Sequence, residues 1–205
     1  MTLKNENVKI AGAVIVSILI VSMFSFIFFK AYYKKHCKPK VIKQTITKTV
    51  VKTVVQKIPE NKIDENKLAN WIYHHSYRCS RKQAKEYAEL ILKTKHPLLI
   101  ASIIKNESSF NVSAVSSSNA IGLMQILPTK EHLRQLKEAK IIKDKRDLFD
   151  AEVNIKAGEF IFDDILRLND NNISKALLMY CGGNKSYVNR VLQTLGQLTI
   201  EVKGD

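Results

Sequence analysis

Residues 98–125 read LLIASIIKNESSFNVSAVSSSNAIGLMQ. The first part, with Leu98, Leu99, Ile100, Ala101, Ile103 and Ile104, has apolar side chains on every face. A helix of that kind is buried all round rather than laid on a surface. Pro97 fits its first position, where the missing N–H costs nothing. The helix runs to Glu107 and gives way to a Ser- and Asn-rich loop over 111–119. Gly122 permits a close approach of chains, and Leu123, Met124 and Gln125 are expected to begin a further helix. A carboxylate held against apolar surface has its charged form disfavoured, so the pKa of Glu107 is expected to rise. A raised pKa suits a general acid near neutral pH. The plainer reading of Glu107 is a solvated or capping residue at a helix end.

Outward from this stretch the pattern remains helical. Leu68, Trp71 and Ile72 form one apolar face. Ser80 with Gln83 makes a capping-box pattern, opening a helix that buries Ala84, Tyr87, Ala88, Ile91 and Leu92. Pro128 and Thr129 start a short helix, and a basic connector covers 140–146. Asp150 is expected to cap a helix carrying Val153, Ala157, Ile161, Phe162, Ile165 and Leu166. A turn over 169–172 leads to a helix with Ala176, Leu177 and Tyr180 that stops at Gly182 and Gly183. A last helix buries Val188, Val191 and Leu192. No convincing strand pattern is present, so the fold class expected is all-α.

The N-terminal third differs. The run IAGAVIVSILIVSMFSFIFF over 10–29 carries no charge, and about twenty apolar residues suffice for one helical crossing of a bilayer. It lacks the short apolar core and small-residue cleavage site of a removable signal, so it reads as a retained anchor. The organisation expected is a membrane anchor over 1–30, a Lys/Thr/Val-rich stalk over 31–66 and a helical globular domain over 67–205. β-branched residues in VIKQTITKTVVKTVVQKI favour extended chain, and a short coiled coil with Val51, Val55 and Ile58 is the other reading. From 31 to 65 such a chain reaches on the order of 100 Å. The flanking Lys30, Lys34, Lys35, Lys38 and Lys40 would put the C-terminal part in the cytoplasm by the positive-inside rule.

The chain has 205 residues and a formal net charge of +14, with much of the excess in the N-terminal third. The milder balance beyond it weakens a nucleic-acid reading, and no nucleic-acid partner is expected. Cys37, Cys79 and Cys181 make no Cys-x-x-Cys pair, and the five histidines lack zinc-ligand spacing, so neither a metal site nor a cofactor is expected. Cys79 and Cys181 read as packed thiols, or as a disulfide in an oxidising compartment.

Three blocks, ASIIKNESSFNVSAVS with AIGLMQILP, then DLFDAEVNIKAG, then ALLMYCGG, stand in an order that resembles the soluble lytic transglycosylase (SLT) family over roughly 68–195. The resemblance implies a lysozyme-like helical domain and an enzyme cutting peptidoglycan glycan strands between N-acetylmuramic acid and N-acetylglucosamine. It implies that Glu107 is the catalytic acid, with Ser108, Ser116, Gln125, Asn154 and Tyr180 as substrate-binding positions. Gly122 and Gly158 match glycines of the same blocks, and Tyr180 is expected to point its hydroxyl into the cleft near Glu107. The chain departs from the family pattern at Cys181, where Asn usually follows the tyrosine, and at Asn119, where Gly is usual. Asn tolerates left-handed backbone, so the second change is mild.

Hydrolytic glycosidases need two carboxylates. Here Asp144, Asp147, Asp150 and Glu152 lie in a connector and a helix start, where capping explains them. One acid suffices when the sugar supplies its own nucleophile, as in lytic transglycosylases. The expected activity is therefore local opening of the cell wall from the membrane, with the catalytic domain on the wall side. That serves a secretion, conjugation or phage-infection assembly, and a virion membrane would remove the conflict with the flanking charges. The alternatives are a muramidase on the same scaffold and an inactive wall-binding assembly subunit.

Overall fold

The computed structural model describes residues 63–203. Helix α1 (Glu65–His75) starts at Asp64, whose carboxylate accepts the backbone N–H groups of Asn66 and Lys67 at 2.8 and 3.0 Å. These are donors that a helix start otherwise leaves unpaired. Leu68, Trp71 and Ile72 are its buried residues. Helix α2 (Arg81–Leu92) opens on the expected capping box: Ser80 Oγ accepts Gln83 N–H at 3.2 Å, and Gln83 Oε1 accepts Ser80 N–H at 3.0 Å. Ala84, Tyr87, Ala88 and Ile91 are buried, while Leu92 stays half-buried. Ser80→Ala removes one arm of that box and should cost about 1 kcal/mol, read as a fall of a few degrees in thermal midpoint.

Helix α3 (Pro97–Glu107) has Pro97 at its first turn, and every residue from Leu98 to Ile104 is buried. Even Ser102 is enclosed, with its hydroxyl donating to Leu98 O at 2.7 Å. Helix α4 (Lys130–Glu138), capped by Thr129, buries only Leu136 and carries an Arg134 bridged to Glu131 and Glu138 on its outer face. A 3₁₀ turn (Lys145–Phe149) follows, capped by Asp144. Helix α5 (Ala151–Leu168) is capped by Asp150, α6 (Ile173–Tyr180) by Asn172 and α7 (Lys185–Glu201) by Asn184. The caps at Ser80 and Asp150 are those read from sequence, and Thr129 caps the short helix expected to start there.

The core helix α3 lies against α7 and α2, α1 pairs with α2, and α5 packs on α6 and on the 3₁₀ turn. Gly158 of α5 sits against Met124: a Cβ there would stand 2.3 Å from the Met124 sulfur. A small residue is thus required where the expected packing glycine stands. Asp64 N–H donates to Val202 O at 3.1 Å, tying the start of α1 to the end of α7. The described residues contain three isolated antiparallel bridges and no strand.

The all-α reading holds for the described residues, but the expectation of a preceding transmembrane helix is corrected. Among the described residues no helix is long and apolar enough to cross a membrane. The run over 10–29, the stalk up to residue 62 and Cys37 lie outside the described residues. Cys79 and Cys181 are both free, half-buried thiols.

Residues 123–125 also depart from expectation. They begin no helix; residues 121–126 fold into a tight turn closed by Ile121 N–H to Ile126 O at 3.0 Å and Ile126 N–H to Ile121 O at 2.9 Å. Gly122 and Gln125 have φ of +78° and +49°, left-handed backbone that an α-helix excludes.

Candidate active site

Glu107 is the last residue of α3, so a rigid, buried helix carries it to a half-buried position. Its Oε1 accepts a hydrogen bond from the Tyr187 hydroxyl at 2.6 Å. Tyr187 stands in the first turn of α7, only 6% exposed, and its own N–H is capped by Asn184. Burial pushes the Glu107 carboxyl above the ordinary carboxylate range; the Tyr187 bond and the nearby Arg190 charge pull it part of the way back. Burial and the adjacent Glu107 hold the Tyr187 hydroxyl far above its usual range, so it stays a proton donor to the carboxylate. Arg190 is exposed, with its guanidinium carbon 6.0 Å from the Tyr187 ring centroid.

Around this pair the 121–126 turn is held by four side chains. Ser108 Oγ donates to Leu123 O at 2.8 Å, fixing the turn to the end of α3. Tyr180 Oη donates to Met124 O at 2.8 Å. Gln125 Nε2 donates to Gly122 O at 2.9 Å and Ala114 O at 3.3 Å. Asn154, fully buried on α5, accepts Met124 N–H at 2.8 Å and donates to Ile121 O at 3.0 Å and Leu148 O at 2.7 Å. Gly122 is needed for room as well as for φ: a Cβ there would stand 2.2 Å from Asn154 Nδ2 and 2.7 Å from Leu148 O.

Glu107, Ser108, Gln125 and Tyr180 are brought together by the turn. Ser116 Oγ accepts Ala120 N–H at 3.0 Å, closing the loop in which Asn119 takes φ of +63°, the left-handed conformation the usual glycine would supply. The loop is joined to the turn by Gly122 N–H to Ala114 O at 2.9 Å. Tyr180 lies close enough for the Glu107 charge to reach it, yet its hydroxyl is spent on Met124 rather than aimed at Glu107. Asn154 as a sugar contact is corrected: it has no exposed surface, and its three bonds all go to backbone. It is a strut for the turn. Cys181 donates from Sγ to Asn184 O at 3.3 Å, so the thiol links the end of α6 to the cap of α7.

Tyr187 and Arg190 were missed by the sequence reading. The available signal was position: Tyr187 shares the apolar face of Val188, Val191 and Leu195. A tyrosine on a buried face needs a partner for its hydroxyl. On the facing helix that partner is the Glu107 carboxylate. Tyr187→Phe removes the bond that lowers the Glu107 pKa, so that pKa should rise further. The pH profile of kcat/KM should then move to higher pH, measured side by side with the parent chain.

Comparison with known proteins identifies the family of the helical domain. The family model described as Transglycosylase SLT domain matches residues 87–200. The membrane-bound lytic murein transglycosylase C of Yersinia pestis (strain Pestoides F) is 38% identical over 84 residues, 38% of this chain and 24% of that relative. The protein of the same description from Actinobacillus succinogenes is 35% identical over 83 residues, 37% of this chain and 23% of the relative. The match thus spans about a quarter of the length of these curated relatives. No solved structure matches the chain.

Proposed function

The chain belongs to the transglycosylase SLT domain family, and from that premise we propose that it is a peptidoglycan lytic transglycosylase whose one catalytic carboxylate is Glu107. The observation that carries this reading is the pairing of a half-buried Glu107 with the Tyr187 hydroxyl at 2.6 Å, at the end of a helix whose preceding turns are fully enclosed. The side chains that act on the Glu107 carboxyl are Tyr187, by its hydrogen bond, and Arg190, by its charge. A displacement by water would call for a second carboxylate to activate it.

In the proposed reaction the protonated Glu107 gives its proton to the oxygen of the bond leaving N-acetylmuramic acid. Positive charge develops at the anomeric carbon, and the new carboxylate lies beside it. The 6-hydroxyl of the same sugar attacks that carbon, and Glu107 takes its proton back. The glycosidic bond breaks, an intramolecular bond between the anomeric carbon and the 6-oxygen forms, closing an internal acetal, and the acid returns to its starting state. The attack gains from being intramolecular, where effective molarities reach roughly 10⁵ M or more. Tyr187 steadies the carboxylate through both transfers, and its raised pKa keeps it from competing as the acid.

Ser108 and Tyr180 act by holding the 121–126 turn, with Asn154 behind it. Gln125 spends Nε2 on the turn, so its amide oxygen is the group offered to sugar hydroxyls or acetamido N–H. Ser116 is assigned to the same strand-binding loop. The relatives are described as membrane-bound murein transglycosylases, and we assign this chain to the wall side of a membrane, opening peptidoglycan locally for a transport or infection assembly. Digestion of purified sacculi by the full chain, with the released muropeptides weighed, tests the activity: anhydro-muramoyl ends are expected, and reducing ends would turn the assignment to a muramidase.

A further inference from the structure

The segment joining α1 to α2 is not absorbed by the reaction just described. Residues 73–82, YHHSYRCSRK, contain Arg78, Arg81 and Lys82 and no carboxylate. Tyr77 is a large side chain left 55% exposed. The Arg78 guanidinium carbon lies 5.1 Å from the Tyr77 ring centroid, and that of Arg81 lies 4.3 Å from the ring of Tyr73. Cations stacked on rings at exposed positions gain only modestly from each other, so these groups remain open to a ligand. Arg78 also holds φ of +59°, an unfavourable conformation for a residue with a Cβ. Such strain persists only where the surroundings impose it, and it collects at binding sites.

What imposes it is a double attachment to the segment just beyond Glu107. Tyr77 N–H donates to Ser109 O at 2.7 Å, and Trp71 of α1 packs edge-on against the buried Phe110 with centroids 6.1 Å apart. Ser109 is two residues past Glu107, which puts the Tyr77 and Glu107 Cα atoms within about 13 Å by chain geometry. That is the span of one to three sugar rings. The ridge is thus rigidly attached to the proposed acid, basic, and faced with an aromatic ring.

We infer that Tyr77 and Arg78 form a binding subsite for the glycan strand beside the cleavage point, with the Tyr77 ring stacked on a sugar and Arg78 pairing with a stem-peptide carboxylate. The inference rests on the proposed peptidoglycan activity. A strand of this polymer presents apolar sugar faces and, on each muramoyl residue, a peptide ending in carboxylate. Ring and guanidinium suit those two features separately, and Arg81 adds a second cation on the same ridge. A duplex nucleic acid would use the cations and leave the exposed ring without a role.

Binding of the full chain carrying Glu107→Gln to intact sacculi, and to the peptide-free glycan strands that an amidase releases from them, separates the two contributions. Tyr77→Ala is expected to weaken binding to both about tenfold, and Tyr77→Trp to retain it. Arg78→Gly, which also suits the positive φ, is expected to weaken binding to intact sacculi several-fold and binding to the stripped strands, which keep only the lactyl carboxylate that the amidase frees on each muramoyl residue, by less. Melting temperatures equal to the parent's show that the variants fold. Binding within twofold of the parent for every variant overturns the inference, as does equal loss by Arg78→Gly on both substrates or failure of the parent to bind sacculi. Unchanged sacculus binding with loss of salt-sensitive duplex DNA binding assigns the ridge to nucleic acid instead. Absence of cleavage by the wild-type chain would refute the catalytic reading of Glu107, while these binding comparisons would still decide the ridge.

Discussion

Glu107→Gln is expected to lower the rate of sacculus digestion by roughly 10³-fold or more. The change keeps the side-chain shape and leaves an amide oxygen for the Tyr187 hydroxyl, so the local hydrogen bond at 2.6 Å has a successor. What it removes is the proton given to the leaving oxygen and the base that later receives one. Because one group performs both transfers, no neighbour supplies half of the work. The loss should lie in kcat, with strand binding retained, since an interaction confined to the transition state acts there. Stability provides an internal control with a definite sign. Burial raises the folded pKa of Glu107. The folded wild type therefore holds a proton that the unfolded chain has already released, and loses stability as pH rises through the folded value. The amide does not titrate. The melting temperature of Glu107→Gln should consequently gain on the wild type as pH is raised through that range, followed by calorimetry at several pH values.

The second large effect is on the fold. Asn154→Ala removes three buried hydrogen bonds at once, to Met124 N–H and to the carbonyls of Ile121 and Leu148. Each backbone group left unpaired in an enclosed site costs about 1–3 kcal/mol, and the vacated volume adds to it. A net loss of about 4 kcal/mol and a fall on the order of 10 °C in thermal midpoint are expected. The same variant should lose activity at temperatures where it is still folded. The turn it supports also receives Ser108, the neighbour of Glu107, and Tyr180, so loosening it frees both side chains. Asn154→Asp is a sharper probe. It keeps the acceptor for Met124 N–H but sets a carboxylate oxygen against two carbonyls, so it should be no better than alanine at neutral pH.

The helices were legible because their signals are local. Capping at Ser80 and Asp150, Pro97 at a first turn and the enclosed run of α3 depend on neighbours within a few residues. The 121–126 turn was not legible, since Leu123, Met124 and Gln125 have good helix propensity and only tertiary partners contradict it. Asn154 is thirty-odd residues away in sequence and captures Met124 N–H and Ile121 O, groups that a helix would use itself. The site was legible to the extent that it follows from α3: Glu107 is where its enclosed helix ends. The partner of Glu107 was not, because Tyr187 is eighty residues further along and its place on an apolar face says that its hydroxyl needs a partner but not which one. Asn154 illustrates the opposite error, a position matched to a binding block whose side chain faces inward. The apolar run over 10–29 lies outside the described residues, among which no helix is long and apolar enough to cross a membrane.

The central claim is that the nucleophile belongs to the sugar and that the lone carboxylate of Glu107 serves the departing and the arriving oxygen in turn. Digestion of sacculi by the full chain in water enriched in heavy oxygen tests this most directly. The account predicts muramoyl ends free of the label, because no water oxygen joins the anomeric carbon. Labelled reducing ends formed in step with cleavage would contradict it.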